Sequence, residues 1–197
     1  KVVGRHGAGL DIVELEAATD LGVAVVHAPG SNSNSVAEHA IMLMLACAKQ
    51  AVVVDKRTRL ADWGKSRWQG LLEMNGRTLG IIGVGNIGRR VAKIAGAMGM
   101  RVIGYDKYVA AEEVRNRGAE PMPDMASVLC QADVVTCHTP LTKETLHMIN
   151  AEAIALMKPG VIFINTSRGK VQDEEALRVA LEGGKIRAAG IDVFEEE

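Results

Sequence analysis

The chain has 197 residues, 48% of them hydrophobic, with a formal net charge of −1, enough apolar mass for a real core. The two signs of charge are interspersed, which excludes the basic face of a nucleic-acid binder and the polybasic stretch of a membrane-surface protein. Cys47, Cys130 and Cys137 are odd in number and lack CxxC spacing, which argues against a disulfide framework or a zinc site and for a reducing, cytoplasmic setting.

In chain order, residues 1–28 read as a small β-α-β piece: KVVGR, then DIVELEAATDLG, then VAVVHAP. It has too little surface to fold alone, so the expected organisation is a remnant of one domain at 1–28 and a second domain over 29–197. APGSNSNS is a hinge-like run of turn formers. Ser35 and Glu38 then have the S-x-x-E spacing of a capping box, predicting a helix from there to about residue 60. Its apolar run at 40–48 is far short of the roughly 20 residues of a membrane span. A polar connection with Trp63 and Trp68 follows. From Thr78 on, six strand candidates alternate with helical segments: TLGIIGV, RVIGYD, AEPM, ADVVTCH, VIFINT and RAAGIDV. That alternation predicts an α/β fold with a doubly wound parallel sheet.

The clearest motif is LGIIGVGNIGRR, where Gly83, Gly85 and Gly88 form G-x-G-x-x-G between a strand and a helix. The first glycine permits the turn, the second lets a pyrophosphate approach the backbone, and the third lets helix and strand pack. Ile87, Val91, Ile94 and Met98 then mark one helix face. Eighteen residues past Gly88 stands Asp106, placed to bind the adenosine ribose and to repel a 2′-phosphate, a preference for NAD over NADP. Neighbouring Lys107 pulls the other way. Arg89 and Arg90 sit in the first helical turn, where cations oppose the dipole by about 0.3–1 kcal/mol; a bound pyrophosphate would reverse that cost.

Arg168, in NTSRG, follows the strand VIFI at the edge where open α/β sheets bind ligands. Its planar guanidinium suits two-point binding of a carboxylate; the alternative is a structural ion pair with a neighbouring acid. Asp192 and the triplet Glu195, Glu196 and Glu197 follow the last strand, about 4.8 Å away if the two strands are adjacent. CHTPLT lies at another strand end, and His138 there reads as scaffolding more readily than as a base. The remaining histidines, His6, His27, His39 and His147, have no ligand spacing, so no metal is expected.

RHGAGLD, NSVAEHA, LGIIGVGNIGRR, HTPLT, LMKPG, INTSRG, DEEAL and AGIDVFEEE together resemble the D-isomer-specific 2-hydroxyacid dehydrogenases, the family of phosphoglycerate dehydrogenase, hydroxypyruvate/glyoxylate reductase and D-lactate dehydrogenase. The resemblance implies a Rossmann-type NAD-binding domain, with 1–28 as the end of a flavodoxin-like substrate domain. It implies hydride transfer between NAD and C2 of a 2-hydroxy or 2-keto acid. Arg168 would hold the substrate carboxylate, and Glu197, five residues past Asp192, would support a general acid/base histidine some twenty residues beyond it. Ala8 and Gly9 would bind the carboxylate through backbone amides, Asn86 and Ile87 would meet the pyrophosphate, and Thr139, Thr166 and Asp192 would line the nicotinamide half. The family dimerises through its nucleotide-binding domain, so a homodimer is implied. Two relatives remain as alternatives: the C-terminal-binding-protein corepressors, and formate dehydrogenase, which carries an amide where Glu197 stands.

Overall fold

The computed structural model describes residues 1–62 and 70–196; Trp63, Trp68 and Glu197 lie outside the described residues. Strands β1 (Val2–Gly4) and β2 (Ala24–Val26) pair in parallel around helix α1 (Leu15–Asp20) and form a two-stranded sheet of their own.

The second sheet has six parallel strands: β3 (Thr78–Ile82), β4 (Arg101–Tyr105), β5 (Glu120–Pro121), β6 (Val134–Cys137), β7 (Val161–Asn165) and β8 (Ile186–Ile191). All six strand candidates therefore pair, in the order β5-β4-β3-β6-β7-β8. This is the Rossmann order, and it reverses between β3 and β6, where open sheets leave a crevice at the strands' carboxyl ends. β3, β6 and β7 are buried along their whole length, which is why they read as unbroken apolar runs rather than alternating ones. Asp133 registers the sheet at its amino end: its Oδ2 accepts from Thr78 N at 2.8 Å and its Oδ1 from Lys158 Nζ at 3.1 Å.

Helices cover both faces. α2 (Ser33–Ala48) packs on β7, β8 and α4 (Gly88–Ala97), and its Ala37, Ala40, Ile41 and Met44 enter the core on that side. The opposite core is built from α6 (Met125–Leu129), α7 (Ala151–Leu156) and α8 (Glu174–Glu182) around Phe163, Ile162's neighbour and a fully buried side chain. These three helices start on Asp124, Asn150 and Asp173, whose side chains accept from Ser127 N, Ala153 N and Ala176 N, each satisfying a free terminal N–H. α5 (Ala111–Asn116) leads into β5.

Two expectations are corrected. The helix begins at Ser33, so Ser35 and Glu38 lie inside it and form no capping box; the cap position is Asn32, without a side-chain cap bond. Nor does the helix run unbroken to residue 60. It stops at Ala48, and α3 (Ala51–Arg59) leaves at 62° after Gln50 takes a left-handed φ of 50°. The break has a hydrogen-bonding cause: the Ala48 carbonyl accepts from Leu72 N at 2.9 Å, so the returning chain occupies an acceptor that a longer helix would use. The apolar composition resumes directly after the break, AIMLMLACAKQAVVV, which hid it.

α2 reaches the sheet only because β8 offers Gly190 beneath it. A Cβ there would stand 2.8 Å from both Leu43 Cβ and Ile164 Cδ1, closer than such atoms ever pack. Gly190→Ala is therefore expected to cost about 1–3 kcal/mol through overpacking, read as a lower urea midpoint with an unchanged m-value.

Candidate active site

Two cavities open at the carboxyl edge of the large sheet, on either side of the β3–β6 reversal. One, of about 390 Å³, is lined by Gly83, Gly85, Asp106, Lys107, Thr139 and Glu144, among others. The second, of about 520 Å³, lies between the β1–α1 segment and the large sheet and is lined by Ala8, Gly9, Asp11, Ile87, Thr166 and Arg168, among others. His138, Thr139 and Pro140 border both.

The glycine turn shapes the first cavity. Gly83 has φ +91°, and a Cβ on it would sit 2.7 Å from the His138 carbonyl oxygen; a Cβ on Gly88 would sit 2.2 Å from the Gly83 carbonyl oxygen. Neither position tolerates a side chain. Gly85 differs, since a Cβ there would meet no atom of the described residues within 4 Å and would instead project into the space a ligand needs. Asp106 stands across the turn, its Oδ2 accepting from Val84 N and its Oδ1 from Tyr108 N, both at 2.9 Å. An ionised carboxylate has about four lone-pair positions, so acceptor capacity remains for a hydroxyl pair. Two arginines brace the turn: Arg117 Nη1 donates to Val84 O at 2.7 Å, and Arg90 Nη1 to Asn86 O at 2.5 Å.

A dinucleotide fits these residues on the structure's own terms. The open space over Gly85 admits a phosphate, and the buried Thr139 Oγ1 has no hydrogen-bond partner among the described residues, an orphan that a ligand hydroxyl or amide would satisfy.

In the second cavity Arg168 is held by an acid that sequence reading passed over. Its Nε and Nη2 donate to Asp11 Oδ2 at 2.8 and 2.5 Å, and its Nη1 donates to Ser167 O at 2.6 Å. That leaves two of the five guanidinium N–H groups for a ligand. The Asp11 carboxyl is held below its usual range, chiefly by the hydrogen bond from Arg168, so the pair is ionic. Asp11 belongs to the RHGAGLD motif, but its partner lies 157 residues away, beyond any local signal. Behind Arg168, Asn165 is fully buried and organises the turn, its Oδ1 accepting from Ser167 N and Oγ and its Nδ2 donating to Arg168 O. Gly169 makes the same turn possible, since a Cβ there would overlap the Phe194 carbonyl.

His138 is the wall between the cavities. Its Nε2 lies 3.0 Å from Thr136 Oγ1 and its Nδ1 3.5 Å from Thr166 Oγ1, and burial pushes its pKa down to about 4. It is a neutral ring at physiological pH. Cys137 beside it is buried, with its thiol pushed up to about 12, and is inert as a nucleophile.

Not every candidate converges. Asp192 borders neither cavity; its Oδ1 stands 3.2 Å from His39 Nε2. Glu195 turns away to cap α8, accepting from Glu174 N at 3.1 Å and lying 3.2 Å from His147 Nε2. Glu197 lies outside the described residues. Among the described residues no cluster of His, Cys, Asp or Glu could hold a metal ion.

A glycine turn at the reversal point faces an acid at the end of β4, the arrangement of a dinucleotide-binding crevice. Residues 41–197 match the model of the D-isomer specific 2-hydroxyacid dehydrogenase NAD binding domain. The chain belongs to this family. Over its whole length it is 47% identical to a D-3-phosphoglycerate dehydrogenase of Methanocaldococcus jannaschii, of which it spans 37%, and 43% identical to a hydroxypyruvate reductase of Thermotoga maritima, of which it spans 63%. The chain thus covers well under two thirds of some curated relatives. Among solved structures, a D-lactate dehydrogenase from Aquifex aeolicus, complexed with NAD and lactic acid, superposes with a TM-score of 0.92 at 39% identity, covering the whole chain and 58% of that one. NAD is accordingly the cofactor of this 2-hydroxyacid dehydrogenase domain.

Because the folded state resists protonating His138, acid should weaken it. The neutral ring costs nothing above its ordinary pKa of 6.5; as pH falls from there to about 4, the unfolded chain takes up a proton that the folded chain refuses. Stability should drop across that window, by at most about 3 kcal/mol given the ring's partial accessibility. Urea denaturation at stepped pH should show the drop in the wild type and a flatter profile in His138→Asn.

Proposed function

We propose that the protein is the nucleotide-binding part, with the end of the substrate domain at residues 1–28, of a dehydrogenase that moves hydride between NAD and C2 of a D-2-hydroxy or 2-keto acid. Phosphoglycerate and hydroxypyruvate or glyoxylate are the leading substrates, since relatives of those names match the whole chain. The observation that carries the proposal is Arg168: a guanidinium with free N–H groups, at the end of β7, in one cavity with the backbone of Ala8 and Gly9 and with the cofactor-side residues Ile87, Thr139 and Thr166.

In this reading the bound nicotinamide supplies or accepts the hydride, and the chain's own residues position the substrate. Arg168 grips the carboxylate through its remaining N–H groups and polarises the C2 oxygen, while the amides of Ala8 and Gly9 hold the carboxylate's other side. Asp11 keeps the planar guanidinium oriented. Gly83, Gly85, Asn86, Ile87 and Gly88 receive the pyrophosphate at the start of α4, and Asp106 takes the ribose. Glu197 would support the imidazolium of a general acid/base histidine, and Asp192 would join the nicotinamide side once the dinucleotide is bound.

Met42, Val52, Val53 and Leu60 leave large apolar surface exposed on α2, on α3 and just after it, which supports a homodimer through this domain. The free Cys47, Cys130 and Cys137 support a cytoplasmic location, and no single helix among the described residues is long and apolar enough to cross a membrane.

Arg168→Ala in the full-length protein is expected to lower kcat/KM for keto-acid reduction by roughly 10²–10³-fold, the cost of removing a charged hydrogen-bond partner from an enclosed site. NADH affinity should be unchanged by fluorescence titration. Turnover equal to wild type would sink the assignment. Asp106→Ala should raise the NADPH/NADH preference; a ratio that does not move would show the ribose contact to be misassigned.

A further inference from the structure

Lys107 is the residue that should blur the choice between NAD and NADP. It follows Asp106 directly, lines the same cavity, and carries the charge that a 2′-phosphate would seek. The structure shows where that charge goes. Lys107 Nζ donates to Glu144 Oε1 at 2.6 Å, and the other carboxylate oxygen, Oε2, accepts from Tyr108 OH at 3.0 Å. Glu144 comes from the loop after β6, 37 residues further along the chain. It therefore straps the far wall of the cavity to the segment that follows β4.

The strap is locally built. Thr142 Oγ1 accepts from Glu144 N and Thr145 N, both at 3.3 Å, and Thr145 Oγ1 donates to Pro140 O at 2.7 Å. These bonds fold the 140–145 loop so that Glu144 projects over the cavity. Tyr108 closes the other side, with Lys107 Nζ 5.8 Å from its ring centroid. Both charged side chains remain 54% exposed, so the pair adds little to stability. Its consequence is electrostatic. With Glu144 in place the ionised groups on this wall are two carboxylates and one ammonium; without it, Asp106 and Lys107 cancel and the ammonium is free to turn inward.

We propose that Glu144 is a second determinant of NAD selectivity, a positioning residue that holds Lys107 away from the adenosine ribose and adds negative charge where a 2′-phosphate would lie. This rests on the assignment of the cavity lined by Gly83, Gly85 and Asp106 to the adenosine half of the dinucleotide. Glu144 acts through Lys107 and through its charge, whereas Asp106 acts by direct contact, so the two determinants are separable.

The test is a set of fluorescence titrations with NADH and NADPH on the full-length protein, using wild type, Glu144→Gln, Lys107→Met and the double variant. Glu144→Gln preserves the side chain's size and, at an exposed site, should leave the fold intact. It is expected to tighten NADPH binding by roughly five- to tenfold, chiefly because the released ammonium can reach a phosphate and in smaller part because one repelling charge is gone, with NADH affinity within about twofold of wild type. In the Lys107→Met background most of that gain should vanish, and added salt should shrink it. A NADPH/NADH ratio unmoved by Glu144→Gln overturns the proposal. So does an equal gain in the Lys107→Met background, which would show that holding Lys107 away plays no part in the selectivity. A wild-type protein that binds neither dinucleotide overturns the cofactor assignment itself, and the proposal with it.

Discussion

The site depends on how closely two backbones approach at the carboxyl ends of β3 and β6. Gly83 and the His138 carbonyl are near enough that even a methyl group would collide, and Gly88 closes on the Gly83 carbonyl from the other side. That contact sets the depth of the crevice at the strand-order reversal. It brings His138 and Thr139 to the boundary between the two cavities, and it places the first turn of α4 over the space in front of Gly85. Asp106 then reaches Val84 N only because β4 runs in register beside β3, with Tyr105 opposite Ile82. A wider gap at Gly83 would displace all four.

The sheet was legible because parallel strands buried on both faces leave continuous apolar runs, and because glycine at three fixed offsets has a steric reason that sequence displays directly. Arg168 and Asp106 were legible for the same kind of reason, being charged residues at strand ends. What stayed hidden was fixed by distant partners. The break at Gln50 turns on a hydrogen bond from Leu72 N to Ala48 O, which no helix-propensity argument contains. Asp11 is invisible as a partner of Arg168 for the same reason, and Glu144 reads locally as one more solvated acid in a threonine-rich loop. The capping-box spacing at Ser35 and Glu38 misled because the helix begins earlier, capped at Asn32 rather than Ser35, with Ser33 buried against the domain.

The Arg168–Asp11 pair joins the two sheets at the point where substrate would sit. Sequence reading posed substrate binding and structural pairing as alternatives for Arg168; the geometry makes them compatible. A carboxylate that accepts from Nε and Nη2 fixes the guanidinium plane, and the N–H groups left over point elsewhere. Fixing the plane beforehand matters because a free arginine side chain must lose about 2 kcal/mol of rotamer entropy when it grips a ligand. Asp11 takes that loss during folding. On the proposed function the cost is a standing negative charge beside the place where an anionic substrate would bind, so Asp11 would lower affinity as it improves geometry. Such a compromise favours alignment in the reaction over tight ground-state binding.

A similar opposition of charge governs the cofactor cavity. Asp106, Lys107 and Glu144 alternate in sign around one opening, and each carboxylate has a defined partner: backbone N–H groups for Asp106, Lys107 and Tyr108 for Glu144. The differences among these partners matter. Backbone donors are fixed by the fold and cannot follow a ligand, so Asp106 presents a constant field. Lys107 and Glu144 are long, exposed side chains whose pairing is worth little in water, so their arrangement can change at small cost when a ligand arrives. On the selectivity proposed above, discrimination against a 2′-phosphate combines one rigid charge with one adjustable pair. The adjustable pair is where a single substitution can shift cofactor preference without disturbing the glycine turn that the rest of the site is built on.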